Sequence, residues 1–281
     1  MERGVIYLVT GPAHAVRAVV SLRSLRRHFD GPITFYTTQP ESAEVAARCA
    51  ADARLQVQHL ETNQVISPKN SSFLTKLELL TQTPFDVTLY LDADTLVVGP
   101  IDDLFAAAEN QEFAATQFAH WVSSGKTIRR RIEAWRDLPQ ERIPAQELNK
   151  LVEEALVTRP AVNGGVFAFR RDSPLLAPWR ELAYAGWQTF ICDEIALQLL
   201  LPRYEHSVLD CRFNCSPVFA HRQADVRIWH FHGERHVKNE RCRELWWPNY
   251  RSCVLDNIGG LADWSPGADP QLARFLKGKR V

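Results

Sequence analysis

Apolar positions along this chain alternate between two rhythms. Val5–Val9 is a short, continuous apolar run rich in β-formers, and it closes on Thr10-Gly11-Pro12. Val16, Val19, Val20, Leu22 and Leu25 then recur at helical spacing. Ile33–Tyr36 is a second β-like run, and Glu41–Ala51 reads as a second helix. Strand, helix, strand, helix predicts parallel pairing through right-handed crossovers, hence an α/β sheet with helices on its faces.

The same reading continues downstream. Leu74–Leu80 has a helical pattern that Pro84 breaks, and Val87–Leu91 is a buried strand bounded by Asp92-Ala93-Asp94. Ile101–Ala108 predicts a helix and Phe113–Thr116 a strand. Residues 123–158 are more polar and helix-prone, which fits a solvated helical insertion better than an acceptor-binding flap. Asn163-Gly164-Gly165 precedes a β-like run, Val166–Phe169. Ser173-Pro174 offers an N-cap with proline in the first turn, and Asp193–Leu201 is a further helix. Val226–Phe231 is a late strand, and residues 234–281 show no clear periodicity and read as irregular decoration. No linker interrupts residues 1–281, so one α/β domain is expected.

Charge narrows the partners. Lysine and arginine number 33, as do aspartate and glutamate. No global field therefore draws the chain to nucleic acid or to an anionic membrane, and anion binding must be local. The apolar run near Met1 is too short for a signal peptide, and none is long enough to span a bilayer. Six scattered cysteines suit free thiols in a reducing compartment, so a cytoplasmic protein is expected. A zinc site from Cys211, Cys215 and Cys242 lacks a clean second ligand pair. Trp229, Trp246, Trp247 and Trp264 would serve equally as core or as a contact between copies in a homo-oligomer.

The chemistry concentrates at one strand end. Leu89-Tyr90-Leu91-Asp92-Ala93-Asp94-Thr95 places two carboxylates, one residue apart, where a buried strand emerges at its carboxyl end. Open α/β sheets bind ligands beyond such ends. Adjacent carboxylates repel unless a proton or cation relieves them, and oxygen ligands suit a hard divalent ion, Mg²⁺ or Mn²⁺, which can bridge to phosphate. A bare Asp-x-Asp is common in solvated turns; the apolar strand before it is what raises its meaning. The later His230-Phe231-His232-Gly233, after a second predicted strand, offers a third ligand, with His230 and His232 on one face of an extended chain.

Together these pieces resemble the family 8, glycogenin-like, retaining glycosyltransferases. The matching segments are Leu74-Thr75-Lys76-Leu77, Leu89 through Val97, Ile101-Asp102-Asp103-Leu104-Phe105, Asn163-Gly164-Gly165-Val166-Phe167, Asp193-Glu194, and Ile228 through Gly233. Their order and approximate spacing agree over nearly 240 residues. The resemblance implies the GT-A fold, a single nucleotide-binding α/β domain with a mostly parallel sheet flanked by helices. It also implies transfer of a sugar, with retention, from a nucleotide-diphosphate donor, UDP by family habit, to an unidentified acceptor. Asp92 and Asp94 would hold Mn²⁺ or Mg²⁺ with His230, the backbone at Ala93 lying alongside the donor. Lys76 would meet the donor's sugar or phosphate, and Asn163, Gly164 and Gly165 would line the sugar pocket. Asp193 would bind sugar hydroxyls, and Glu194 would face the reacting carbon. Leu8, Val9 and Thr10 would contact the base beside His14, with Gly233, His236 and Lys238 near the diphosphate.

Some positions depart from the family pattern. Gly11-Pro12 replaces the polar pair that usually follows the first strand. His236 occupies the place of a diphosphate-binding lysine, with Arg235 and Lys238 as candidate substitutes. Glu194 replaces a glutamine; a carboxylate there would stabilise an oxocarbenium-like transition state or attack it. Front-face transfer, with the leaving phosphate assisting acceptor deprotonation, is the default expectation. One rival is a nucleotide-sugar-binding protein without turnover. Another is a haloacid-dehalogenase-type phosphatase, whose motif needs threonine or valine where Leu96 stands.

Overall fold

The computed structural model describes residues 1–38, 52–60, 71–117, 132, 143–157, 161–187, 192–218, 223–232 and 239–255. Its elements in chain order are β1 (Arg3–Val9), α1 (Pro12–Leu25), β2 (Ile33–Thr37), β3 (Leu55–His59), α2 (Ser71–Leu80), β4 (Val87–Leu91), β5 (Thr95–Val97), α3 (Asp102–Gln111), β6 (Phe113–Gln117), α4 (Ala145–Val157), β7 (Val162–Arg170), α5 (Leu176–Ala185), α6 (Cys192–Leu200), β8 (Ser207–Leu209), β9 (Ile228–His230) and α7 (Glu240–Leu255). Seven strands form one sheet in the order β3-β2-β1-β4-β7-β6-β8, and β5 pairs with β9 in a separate ribbon. Most pairings are parallel, with β6 and β7 antiparallel. This is the mostly parallel, helix-flanked α/β sheet expected.

Contacts divide the chain into two compact units of discontinuous segments: Met1–Arg3, Thr62–Leu89 and Asp102–Cys211 in one, and Gly4–Glu61, Tyr90–Ile101 and Arg212–Val281 in the other. In the second unit, β1 lies parallel to β2 with Val5 opposite Ile33, and β2 lies parallel to β3. Every residue of β2, and all of β1 after Arg3, is buried, which is why both read as continuous apolar runs. Helix α1 starts with proline in its first turn, where the missing N–H costs nothing. Its buried stripe Val16, Val19, Val20 and Leu25 follows the spacing seen in the sequence.

In the first unit, α3 packs on β6 and β7, and α6 packs on β7. Phe113, Phe167 and Trp179 form an aromatic centre, Phe113 stacked on Phe167 at 5.6 Å and Trp179 edge-on to both. Asn163-Gly164-Gly165, expected just ahead of a strand, instead lies inside β7. Thr116 pairs with Asn163 and Ala115 with Phe167, so Gly164, Gly165 and Val166 bulge from the ladder.

Other differences are local. Ser173 and Pro174 lie ahead of α5, whose cap is Leu175, and the Ser173 carbonyl accepts from Leu176 N–H at 3.3 Å. β9 is shorter than Val226–Phe231. Residues 234–281 are not wholly irregular, since α7 runs for 16 residues there and carries Pro248 within it. Within the 123–158 insertion the described part is chiefly the amphipathic α4. Residues 41–51 lie outside the described residues. No described helix is long and apolar enough to cross a membrane.

Candidate active site

The turn after β4 is held by a directed chain of hydroxyls within the second unit. Thr95 Oγ1 donates to the Asp92 carbonyl at 2.8 Å, so Ser21 Oγ must donate to Thr95 Oγ1 at 2.8 Å. Tyr7 OH in turn donates to Ser21 Oγ at 3.1 Å. Burial holds the Tyr7 phenol far above its ordinary pKa, which keeps it a donor. Ser24 Oγ accepts from Val97 N–H at 2.9 Å. Helix α1 thus fixes Asp92-Ala93-Asp94-Thr95 through buried polar contacts that no sequence period reports.

The third residue arrives on the ribbon. β5 and β9 pair antiparallel with Thr95 opposite His230, and Phe231 N–H donates to the Asp94 carbonyl at 3.0 Å. His230 Nε2 then lies 3.2 Å from Asp94 Oδ1 and 3.5 Å from Asp92 Oδ2. Ligand atoms from these three residues all fall within 4.8 Å of one another. Such a set fits one divalent ion: two hard carboxylates and a borderline imidazole suit Mn²⁺ more fully than Mg²⁺. Tyr90 OH donates to Asp92 Oδ1 at 2.7 Å, leaving Oδ2 on the inner side. His230 Nδ1 meets Asn214 Oδ1 at 2.8 Å.

Burial would push the His230 imidazolium toward neutrality, but Asp94 and then Asp92 outweigh it and raise the pKa to about 9. For Asp94, burial works against the carboxylate; the neighbouring His230 charge overcomes this and holds it well below the usual range. Arg17 and His232 add to that effect. Arg17 is a buried guanidinium on α1. His232 leaves the strand in the left-handed region at φ 51°, so the alternation that would put it on His230's face stops short; its ring packs on His230 at 3.7 Å. The described cysteines form no disulfide, and none joins a metal-ligand cluster among the described residues.

A second polar cluster lies within the first unit. Lys76 and Asp193, both almost fully buried, form an ion pair, and Lys76 Nζ also donates to the Gly164 carbonyl at 2.9 Å. The bulge frees that carbonyl from the ladder. It also turns the Val166 carbonyl toward Thr116 Oγ1 at 2.6 Å and the Gly165 N–H toward Asn163 Oδ1 at 3.0 Å. Asn163 Nδ2 donates to Glu194 Oε2 at 2.8 Å. Asp193 and Glu194 open α6, where acids are favoured by the helix dipole, and Trp179 Nε1 donates to the Asp193 carbonyl at 2.6 Å. A Cβ at Gly164 would stand 3.2 Å from both Asp193 Oδ2 and Lys76 Nζ.

The structure therefore gathers Asp92, Asp94 and His230 in one place, and Lys76, Asn163, Gly164, Gly165, Asp193 and Glu194 in another. Leu8 and Val9 are buried at the end of β1, and Thr10 Oγ1 hydrogen-bonds the His14 ring. Gly233, His236 and Lys238 lie outside the described residues. Residues 5–197 match the family model described as Rhodobacterales glycosyltransferase domain. The chain belongs to that family. Solved structures share its fold, among them two glycosyltransferases. The apo bifunctional glycosyltransferase WbbM is 13% identical at a TM-score of 0.60, with 98% of this chain and 51% of WbbM covered. The galactosyltransferase LgtC, in complex with donor and acceptor sugar analogues, is 14% identical at a TM-score of 0.56, covering 89% of this chain and 95% of LgtC. This glycosyltransferase domain thus spans about half the length of WbbM. No curated protein matches its sequence.

Proposed function

We propose that this chain is a family 8-type, metal-dependent glycosyltransferase folded as a single GT-A domain, transferring a sugar with retention from a UDP-sugar to a small-molecule, glycan or protein acceptor. The observation that carries the reading is the triad Asp92, Asp94 and His230, whose ligand atoms lie within 4.8 Å of one another. Mn²⁺ bound there would neutralise charge building on the departing diphosphate. The protein's own part is to hold two carboxylates in one turn, fixed by the Thr95 and Ser21 hydroxyls.

Lys76, Asp193, Asn163 and Glu194 are proposed as donor-sugar contacts, supported by the family resemblance and by the buried polar cluster they form. Glu194 shares an oxygen with Asn163, which suits a carboxylate held as an electrostatic stabiliser and leaves front-face transfer the leading route. A cytoplasmic location accords with described cysteines that form no disulfide. The test is release of nucleoside diphosphate from a panel of sugar nucleotides with Mn²⁺ and with EDTA. Metal-dependent release from one donor is expected and names the sugar; nucleotide binding without release, with and without candidate acceptors, would instead favour a sugar-nucleotide-binding protein.

A further inference from the structure

Asn214 belongs to none of the motifs that point to the site, yet it is fully buried against one of its members. It follows the 3₁₀ turn Cys211–Phe213. Its neighbour Cys215 donates to the Ile228 carbonyl and accepts from His230 N–H, both at 2.9 Å. The backbone carrying Asn214 is thereby clamped to the strand carrying His230, and Asn214 Oδ1 sits 2.8 Å from His230 Nδ1. We propose that Asn214 is a positioning residue for the metal centre. It is a fixed acceptor that keeps the proton of neutral His230 on Nδ1 and leaves the Nε2 lone pair facing Asp92 and Asp94. The inference rests on the metal reading above.

The chemistry follows from counting protons. A charged imidazole donates from both nitrogens: Nδ1–H to Asn214 and Nε2–H toward the two carboxylates, 3.2 and 3.5 Å away. Metal ligation removes only the Nε2 proton, so Nδ1–H still needs an acceptor and finds the same one. A carbonyl oxygen at this place serves both states without rearrangement. A donor there would force the proton onto Nε2, the nitrogen that must ligate. Tyr90 plays the matching part for Asp92, engaging Oδ1 and leaving Oδ2 to the centre.

The experiment titrates the intact protein with Mn²⁺, read by the electron paramagnetic resonance of the free ion, for wild type, Asn214→Leu and Asn214→Asp. Leucine keeps the branching at Cγ, at a larger volume, and removes the acceptor; aspartate keeps both shape and acceptor. Asn214→Leu is expected to weaken Mn²⁺ binding by about ten- to a hundredfold, while Asn214→Asp retains wild-type affinity. Wild-type affinity in Asn214→Leu would overturn the proposal, as would equal losses in the two variants, because shape rather than the acceptor would then decide. Absence of Mn²⁺ binding by the wild type would bring down the metal reading with it. Independently of any variant's folding, ¹⁵N NMR of the wild type loaded with diamagnetic Zn²⁺ should show Nε2 ligated and Nδ1 protonated on His230. Ligation through Nδ1 would overturn the proposal.

Discussion

At the scale of single residues, the site is governed by which charges stay buried together. His230, raised to about 9 by Asp94 and Asp92, is an imidazolium at neutral pH when no metal is bound. Ligation must displace that proton, so Mn²⁺ affinity should rise by about tenfold per pH unit and level off near pH 9. Calorimetry between about pH 6 and pH 8, in buffers of different ionisation enthalpy, should report close to one proton released per ion; a pH-independent affinity would contradict the assignment. Asp94→Asn should abolish both Mn²⁺ binding and metal-dependent turnover while circular dichroism shows the fold unchanged. Glu194 separates two mechanisms: Glu194→Gln keeps an acceptor for Asn163 Nδ2 but removes the charge. A fall in kcat of about a hundredfold or less would fit electrostatic stabilisation, whereas a loss on the order of 10⁴ or more, rescued by an external nucleophile, would point to double displacement.

At the scale of elements, strands and helices bring side chains into register that sequence spacing alone does not connect. The β7 bulge is the clearest case, because it turns the Gly164 carbonyl out of the ladder and onto Lys76. A methyl at Gly164 would press on Asp193 and Lys76 together, and since those two are paired, neither can yield freely. Gly164→Ala should cost about 1–3 kcal/mol, measured by denaturant unfolding; an unchanged midpoint would show that the cluster is looser than its contacts imply. The long apolar strands and α1 were legible because a buried parallel strand and an amphipathic helix each leave their own period in the sequence. β3 was not, since its residues Leu55–His59 alternate weakly and are only partly buried. β5 is three residues long, too short to show a period, and the arginines, tryptophans and internal Pro248 of α7 hid its helix. Asp92, Asp94 and His230 stand in motifs that the sequence displays, and the strand ends at His230 ahead of the left-handed backbone at His232. Asn214 and Arg17 left no signal, because what brings them to the centre is tertiary.

At the scale of the whole molecule, the equal numbers of basic and acidic residues remove any net field, so the few charges that matter are those concentrated in buried clusters. The metal-free protein therefore carries, in Asp92 and Asp94, two carboxylates whose mutual repulsion is eased by His230, with Arg17 and His232 adding to the effect at Asp94. The His230 contribution exists because its folded pKa is raised; it is complete below the unfolded value of about 6.5 and fades as pH climbs through about 9. A divalent ion bound only to the folded state would take over that role and add to stability by mass action. At a hundred times its dissociation constant this amounts to about 2.7 kcal/mol, which for a chain of this size corresponds to a rise in Tm of about 5 °C. Differential scanning fluorimetry above and below neutral pH should show that rise with Mn²⁺, its reversal by EDTA, and its absence in Asp94→Asn. The increment should grow from pH 7 to pH 9, because the ion then competes with fewer protons while the imidazolium's own contribution is being lost. A shift of equal size at every pH, or one that survives Asp94→Asn, would place the ion somewhere other than on His230 and its two carboxylates.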